Sequence, residues 1–232
     1  RLDGARVFLS EHVVLREEML WVAEEDVQKT LVPIFRPAER APVLPARAPK
    51  LIVLDPGHGG TDPGKQNSRL KLDEKDMTLD LAFRVRKLLE ARGYKVVMTR
   101  TTDTRYSNNP VVDLPMRAAV AAKANADLFV SLHFNAVDPA IADRVSGSET
   151  YVLTPQGMVS TEPERDKDMV RVRNPGNAFD DANVLLGFHL HRALVTGLKS
   201  SDRGFKRYRL GVLRPLECPG VLLESAYLSN DA

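Results

Sequence analysis

The chain has a single cysteine, Cys218, in 232 residues. That excludes an internal disulfide and any cysteine-rich metal site, and a thiol beside Pro219 next to an apolar run reads as a small packing residue. No apolar run approaches the ~20 residues of a membrane span. Neither sign of charge dominates: 33 basic and 31 acidic side chains are mixed along the chain, and no basic tail marks a nucleic-acid partner. What remains is an ordinary globular composition, 43% hydrophobic and 28% charged. This length suits one large α/β domain, or a main domain with a small appendage. The chain opens on Arg1 rather than Met, which is compatible with a leader having been removed or trimmed.

Residues 1–35 read as a small N-terminal appendage, with a strand near 6–9 and a helical pattern over 24–31, too little to bury a core alone. Prolines at 33, 37, 42, 45 and 49 then mark a semi-rigid connector, and 36–49 is taken as a Pro-rich linker. From residue 50 to 232 the pattern is strand, helix, strand. The run LIVL at 51–54 leads into Asp55, Pro56, Gly57 and His58. An amphipathic helix follows from near Asp73, with Leu81, Val85, Leu88 and Leu89 as its inward stripe and Gly93 beyond its end. YKVVM at 94–98 is the next strand, 114–124 an Ala-rich helix, and 127–132 a strand that stops at His133. Residues 148–153 suggest a strand near a sheet edge. The segment 155–180 is too long for an ordinary connection and reads as a functional loop or insertion. A helix over 181–198 has Leu186, Leu190, Ala193 and Leu194 inward. A strand is expected over 208–213, and a short apolar one over 221–223 that ends at Glu224. The fold class is therefore α/β, a three-layer domain with a mostly parallel twisted sheet flanked by helices, plus the appendage.

In open α/β sheets, ligands bind at the carboxyl ends of the parallel strands. Three apolar strands end in His58, His133 and Glu224, and the helix after the first begins beside Glu74, so all four side chains can meet at one edge. Two imidazoles and one carboxylate with a fourth position open form the ligand set of a catalytic zinc site, whereas magnesium or calcium prefers more oxygens. If His58, Glu74 and His133 hold Zn²⁺, a second carboxylate must move protons, and Glu224 is best placed. Glu74 alone also has a plainer reading, as a first-turn carboxylate facing the helix dipole. His189 and His191, two apart in a helix, point to different sides and read as packing or surface residues.

The motifs DPGHGG at 55–60, DPG at 62–64, EK at 74–75, SLHFNA at 131–136, DRG at 202–204, VLR at 212–214, and LLES with LSN over 222–230 together resemble the zinc-dependent N-acetylmuramoyl-L-alanine amidases of the amidase_3 type. The likeness covers about 50–231. It implies a bacterial cell-wall hydrolase cutting the amide between the lactyl group of N-acetylmuramic acid and L-alanine. It also implies His58, Glu74 and His133 as zinc ligands and Glu224 as the catalytic carboxylate. Peptidoglycan as substrate, export to the periplasm or cell envelope, and a regulatory protein activator come with it. Lys65 departs from the family, which often has a small residue after DPG. The alternatives are a zinc exopeptidase acting on free peptides, since the same residues suit any amide hydrolysis, and a wall-binding module that keeps the fold without catalysis.

Overall fold

A computed structural model describes residues 1–40, 48–161 and 167–230. Six strands form the main sheet: β1 (Leu51–Pro56), β2 (Lys95–Met98), β3 (Leu128–Asn135), β4 (Ser148–Val152), β5 (Asp202–Arg207) and β6 (Gly220–Tyr227). Their spatial order is β2-β1-β3-β6-β4-β5. Every neighbouring pair is parallel except β6 with β4. Three long helices flank the sheet: α1 (Glu74–Glu90), α2 (Pro110–Ala124) and α3 (Asp180–Leu198).

Side chains alternate across the sheet and so build two cores. Leu132, Val152, Val221 and Leu223 pack on one face with Ala82 of α1 and Val184 and Phe188 of α3. Phe129, Leu153 and Leu222 face the other way, against Ala118 and Ala121 of α2 and against Val212, Leu213, Leu216 and Cys218. This is the expected three-layer arrangement. Among the described residues, no helix is long and apolar enough to cross a membrane.

Several local expectations are corrected. The strand placed at 208–213 lies instead at Asp202–Arg207, because Val212 and Leu213 enter the core from a turn rather than from a ladder. The strands carrying His133 and Glu224 do not stop there but run on to Asn135 and Tyr227. Helix α2 starts at Pro110, whose fixed φ suits a first turn, and the Asn109 side chain caps it by accepting from the Val111 N–H at 3.0 Å. Leu88 is exposed because the buried stripe of α1 passes through Thr78 and Ala82. In α3 the buried positions are Ala182, Asn183, Val184, Gly187, Phe188 and His191, which leaves Ala193 exposed. His191 is a packing residue, its ring nitrogens 3.1 Å from Thr150 Oγ1 and 3.1 Å from Asp202 Oδ1.

The N-terminal residues depart most from expectation. Among the described residues a single bridge, Val7 beside Phe205, stands where a strand was expected over 6–9. A hairpin of Val14–Arg16 and Met19–Trp21 was not foreseen. The helical pattern is present and longer, running through Val32–Phe35 with Pro33 in its first turn. Pro37–Arg40 is a 3₁₀ turn, so the linker expected from 36 is locally helical; positions 41–47 fall outside the described residues. Ala5 and Ile34 belong to the core on the α1 and α3 face. Arg207 of β5 is buried and donates to Thr30 Oγ1, to the Phe8 carbonyl at 2.9 Å and to Asp26 Oδ1 at 3.3 Å. A charge this deep is tolerated because it is paired.

Candidate metal centre

The turn after β1 is built to hold one imidazole in an unusual place. His58 sits at φ 61, a left-handed conformation that costs a non-glycine residue of order 1 kcal/mol. Two arginines hold the backbone there. Arg100 donates to the carbonyls of Pro56 at 3.0 Å and Gly57 at 2.9 Å, and Arg117 to those of Pro56 at 3.0 Å and His58 at 2.7 Å. Arg117 is itself fixed by Asp55 at 3.0 Å and Asp113 at 2.7 Å. At Gly57 a Cβ would stand 2.2 Å from the His133 ring, so only glycine lets the two elements approach.

His58, Glu74 and His133 each offer a ligand atom, and these atoms all lie within 4.8 Å of one another. Glu74, the first residue of α1, is buried, with Oε2 3.1 Å from His58 Nε2 and Oε1 2.9 Å from His133 Nδ1. It also accepts the backbone N–H of Lys65 at 2.8 Å and of Phe134 at 3.0 Å. Burial opposes its charge, but the bonds to His133 and His58 outweigh that and hold its carboxyl well below the usual range. For His133 burial opposes protonation, and Glu74 and Glu224 more than offset it, so its pKa is raised. Asp62 Oδ2 lies 3.0 Å from His58 Nδ1, which leaves Nε2 as the atom directed at Glu74. Two imidazoles and an ionised carboxylate converging from three elements are the donor chemistry a zinc ion takes, and the carboxylate-to-histidine contact is the usual outer support of such a site.

Glu224 stands beside this cluster. In the sheet it is paired with His133 on one side and Glu149 on the other. Its Oε2 is buried with no hydrogen-bond partner among the described residues. Burial pushes its carboxyl up to about 7; His133 pulls against that, and the charges of Glu74 and Glu149 add to it. Glu149 is fixed as an anion by Tyr227, by Tyr151 at 2.6 Å and by Lys206 at 2.9 Å. A cavity of about 470 Å³ opens over the cluster, with His58, Glu74, His133 and Glu224 in its lining and Tyr151, Tyr208 and Lys65 on its walls.

All four residues singled out in the sequence therefore meet at one sheet edge. Asp62, Arg100, Arg117 and Glu149 were not assigned a part. Asp62 carried a signal, its place in DPG; Arg117 carried a fainter one, a charged pair with Asp113 at i,i+4 on an alanine-rich helix. Nothing local distinguishes Arg100 or Glu149 from surface charges.

Comparison with known proteins agrees with this arrangement. Residues 52–232 match the family model Amidase_3, N-acetylmuramoyl-L-alanine amidase. The chain is 30% identical to N-acetylmuramoyl-L-alanine amidase AmiC of Escherichia coli, over 93% of the chain and 55% of AmiC. It is 31% identical to the germination-specific amidase of Bacillus subtilis, over 78% of the chain and 68% of that protein. The chain thus spans little more than half the length of AmiC. Among solved structures, amidase AmiC2 of Nostoc punctiforme superposes with a TM-score of 0.60 at 30% identity, over 78% of this chain and 82% of that one. With the family model covering nearly all of the sheet and every residue of the cluster, the chain belongs to the Amidase_3 family of N-acetylmuramoyl-L-alanine amidases.

Proposed function

We propose that this protein hydrolyses the amide between the lactyl group of N-acetylmuramic acid and the L-alanine of the peptidoglycan stem, with His58, Glu74 and His133 holding one Zn²⁺. The observation that carries the reading is the convergence of these three donors within 4.8 Å beside a buried carboxylate with an unpartnered oxygen. When bound, zinc supplies a Lewis acid for the substrate carbonyl and lowers the pKa of water at the site. Glu224 is the proton carrier. Its carboxylate accepts a proton from the attacking water at Oε2 and returns it to the alanine nitrogen as the C–N bond breaks. A carboxylate oxygen with no fixed partner suits both proton transfers, because nothing holds it in one protonation state. Glu74 cannot take part in them, since four contacts fix it as an anion.

Residues 50–232 are the catalytic domain in this reading, with 1–35 an addition at the β5 edge. The substrate lies in the cell wall, so the protein acts after export to the envelope. A regulatory protein partner is part of the same proposal, supported by a relative at 26% identity, the CwlD amidase of Clostridioides difficile, whose structure is in complex with the GerS lipoprotein. The test is digestion of purified muropeptides followed by mass spectrometry. The expected products are intact stem peptide and stem-free glycan, with about one zinc per chain. Glu224→Gln is expected to keep the zinc and lose at least about 100-fold in kcat. A fully active Glu224→Gln protein would overturn the assignment.

A further inference from the structure

The loop that opens at Lys65 continues as Gln66, Asn67, Ser68, Arg69, Leu70 and Lys71, three cations with no acid among them. It is not a loose excursion. Gln66–Asn67 pairs antiparallel with Leu72–Asp73. Asn67 is buried, donates to the Leu228 carbonyl at 2.9 Å and accepts the Leu70 N–H at 3.0 Å. The neighbouring segments are laced in turn, Leu228 N–H to the Asn135 carbonyl at 2.7 Å and Val137 N–H to Ser229 Oγ at 3.1 Å.

Along these segments the catalytic cavity gives way to a second one. Lys65 and Ala136 line the first, and the next residues, Gln66 and Val137, line a groove of about 560 Å³ together with Arg69 and Ser229. The charges are unevenly committed. Arg207, the other cation at the catalytic cavity, is buried and paired with Asp26. Lys65 is exposed, and its ammonium has no partner among the described residues. In the groove Arg69 and Asp143 both belong to the lining. An amidase substrate must extend to both sides of its scissile bond, and an exposed cation on an anchored loop in the cavity lining suits an anion on one of those arms.

We propose that Lys65, at the start of the 65–71 loop, reads the peptide arm of the substrate by holding a free carboxylate of an anionic stem at the catalytic cavity. This rests on the amidase reading above. It makes the chain selective for stems whose residue after alanine keeps a free α-carboxylate over stems in which that group is a neutral carboxamide. The loop backbone meanwhile serves the metal cluster, through the Lys65 N–H on Glu74.

The experiment compares two N-acetylmuramoyl-peptides identical except for a carboxylate or carboxamide on the second stem residue, cleaved by the zinc-loaded protein. The wild type is expected to favour the carboxylate form by about 10-fold in kcat/KM, carried by KM. Lys65→Gln should bring the two substrates towards equal kcat/KM, and Lys65→Arg should restore the difference. Zinc content and circular dichroism check that Lys65→Gln is folded and loaded. Equal cleavage of both substrates by the wild type, or a preference that survives in Lys65→Gln, would overturn the proposal and leave the amidase reading intact. Cleavage of neither substrate would sink the amidase reading and this proposal with it.

Discussion

Two walls of one cavity each present a glutamate to the same cluster, and they treat it in opposite ways. At the first turn of α1, Glu74 is surrounded by two imidazoles and two backbone N–H groups. On β6, Glu224 has a buried oxygen with no partner and a fixed anion, Glu149, as its cross-strand neighbour. One environment stabilises charge and the other resists it. The difference teaches that a carboxylate's charge here is assigned by its neighbours: donors hold Glu74 as an anion, which suits the proposed ligand role, and their absence leaves Glu224 free for the proposed proton transfers.

The sharpest way to break that comparison is to neutralise each side in turn. Glu74→Gln should lower zinc affinity by more than about 100-fold, since it removes a donor outright and strands the N–H groups around it, whereas Glu224→Gln should leave zinc content unchanged. Metal analysis after dialysis distinguishes the two, and equal zinc loss in both variants would erase the distinction. A smaller effect is expected from Asp62→Asn. It weakens the support of His58 Nδ1 and should cost about 10- to 100-fold in zinc affinity. At saturating zinc its kcat should return close to that of the wild type, which a zinc titration of activity would read.

The mildest effect concerns stability of the metal-free protein against pH. Glu74 has a folded pKa below its ordinary 4.5, so its contribution is present above that value and lost as pH falls through the folded pKa. Glu224 is raised from 4.5 to about 7, so its contribution is complete below 4.5 and lost as pH rises through about 7. Glu224→Gln should therefore gain on the wild type between pH 5 and 8, by about 3 kcal/mol at most, while Glu74→Gln should not. Urea unfolding of chelator-treated protein at pH 4.5 and 8 measures this, and parallel pH curves for the two variants would contradict it.

Much of the site was legible because it sits where apolar runs stop. His58 and His133 follow or close runs that can only be buried strands, and Glu74 opens a strongly periodic helix. What was not legible depends on partners far along the chain. Arg100 and Arg117 look like ordinary charges until the fold brings them onto the carbonyls of 56–58. Glu149 looks like the polar half of an alternating strand until β4 pairs with β6 and faces Glu224. The strand expected at 208–213 failed for a related reason: apolar content marks burial, and Val212 and Leu213 reach the core from a turn. The N-terminal residues are too few to bury a core alone, yet Thr30 and Asp26 accept from Arg207 at separations of 177 and 181 residues.

Sequence by itself determined the class of fold, the order of strands and helices in the main domain, and the candidate residues for binding metal and moving protons. Those follow from periodicity and donor chemistry, which are local. Only the tertiary structure decided that Glu74 lies within reach of both imidazoles, that Glu224 keeps an unpartnered buried oxygen, and that Lys65 stands on an anchored loop between two cavities. Each of these depends on which groups are near and which are absent, and proximity between distant residues is set by packing.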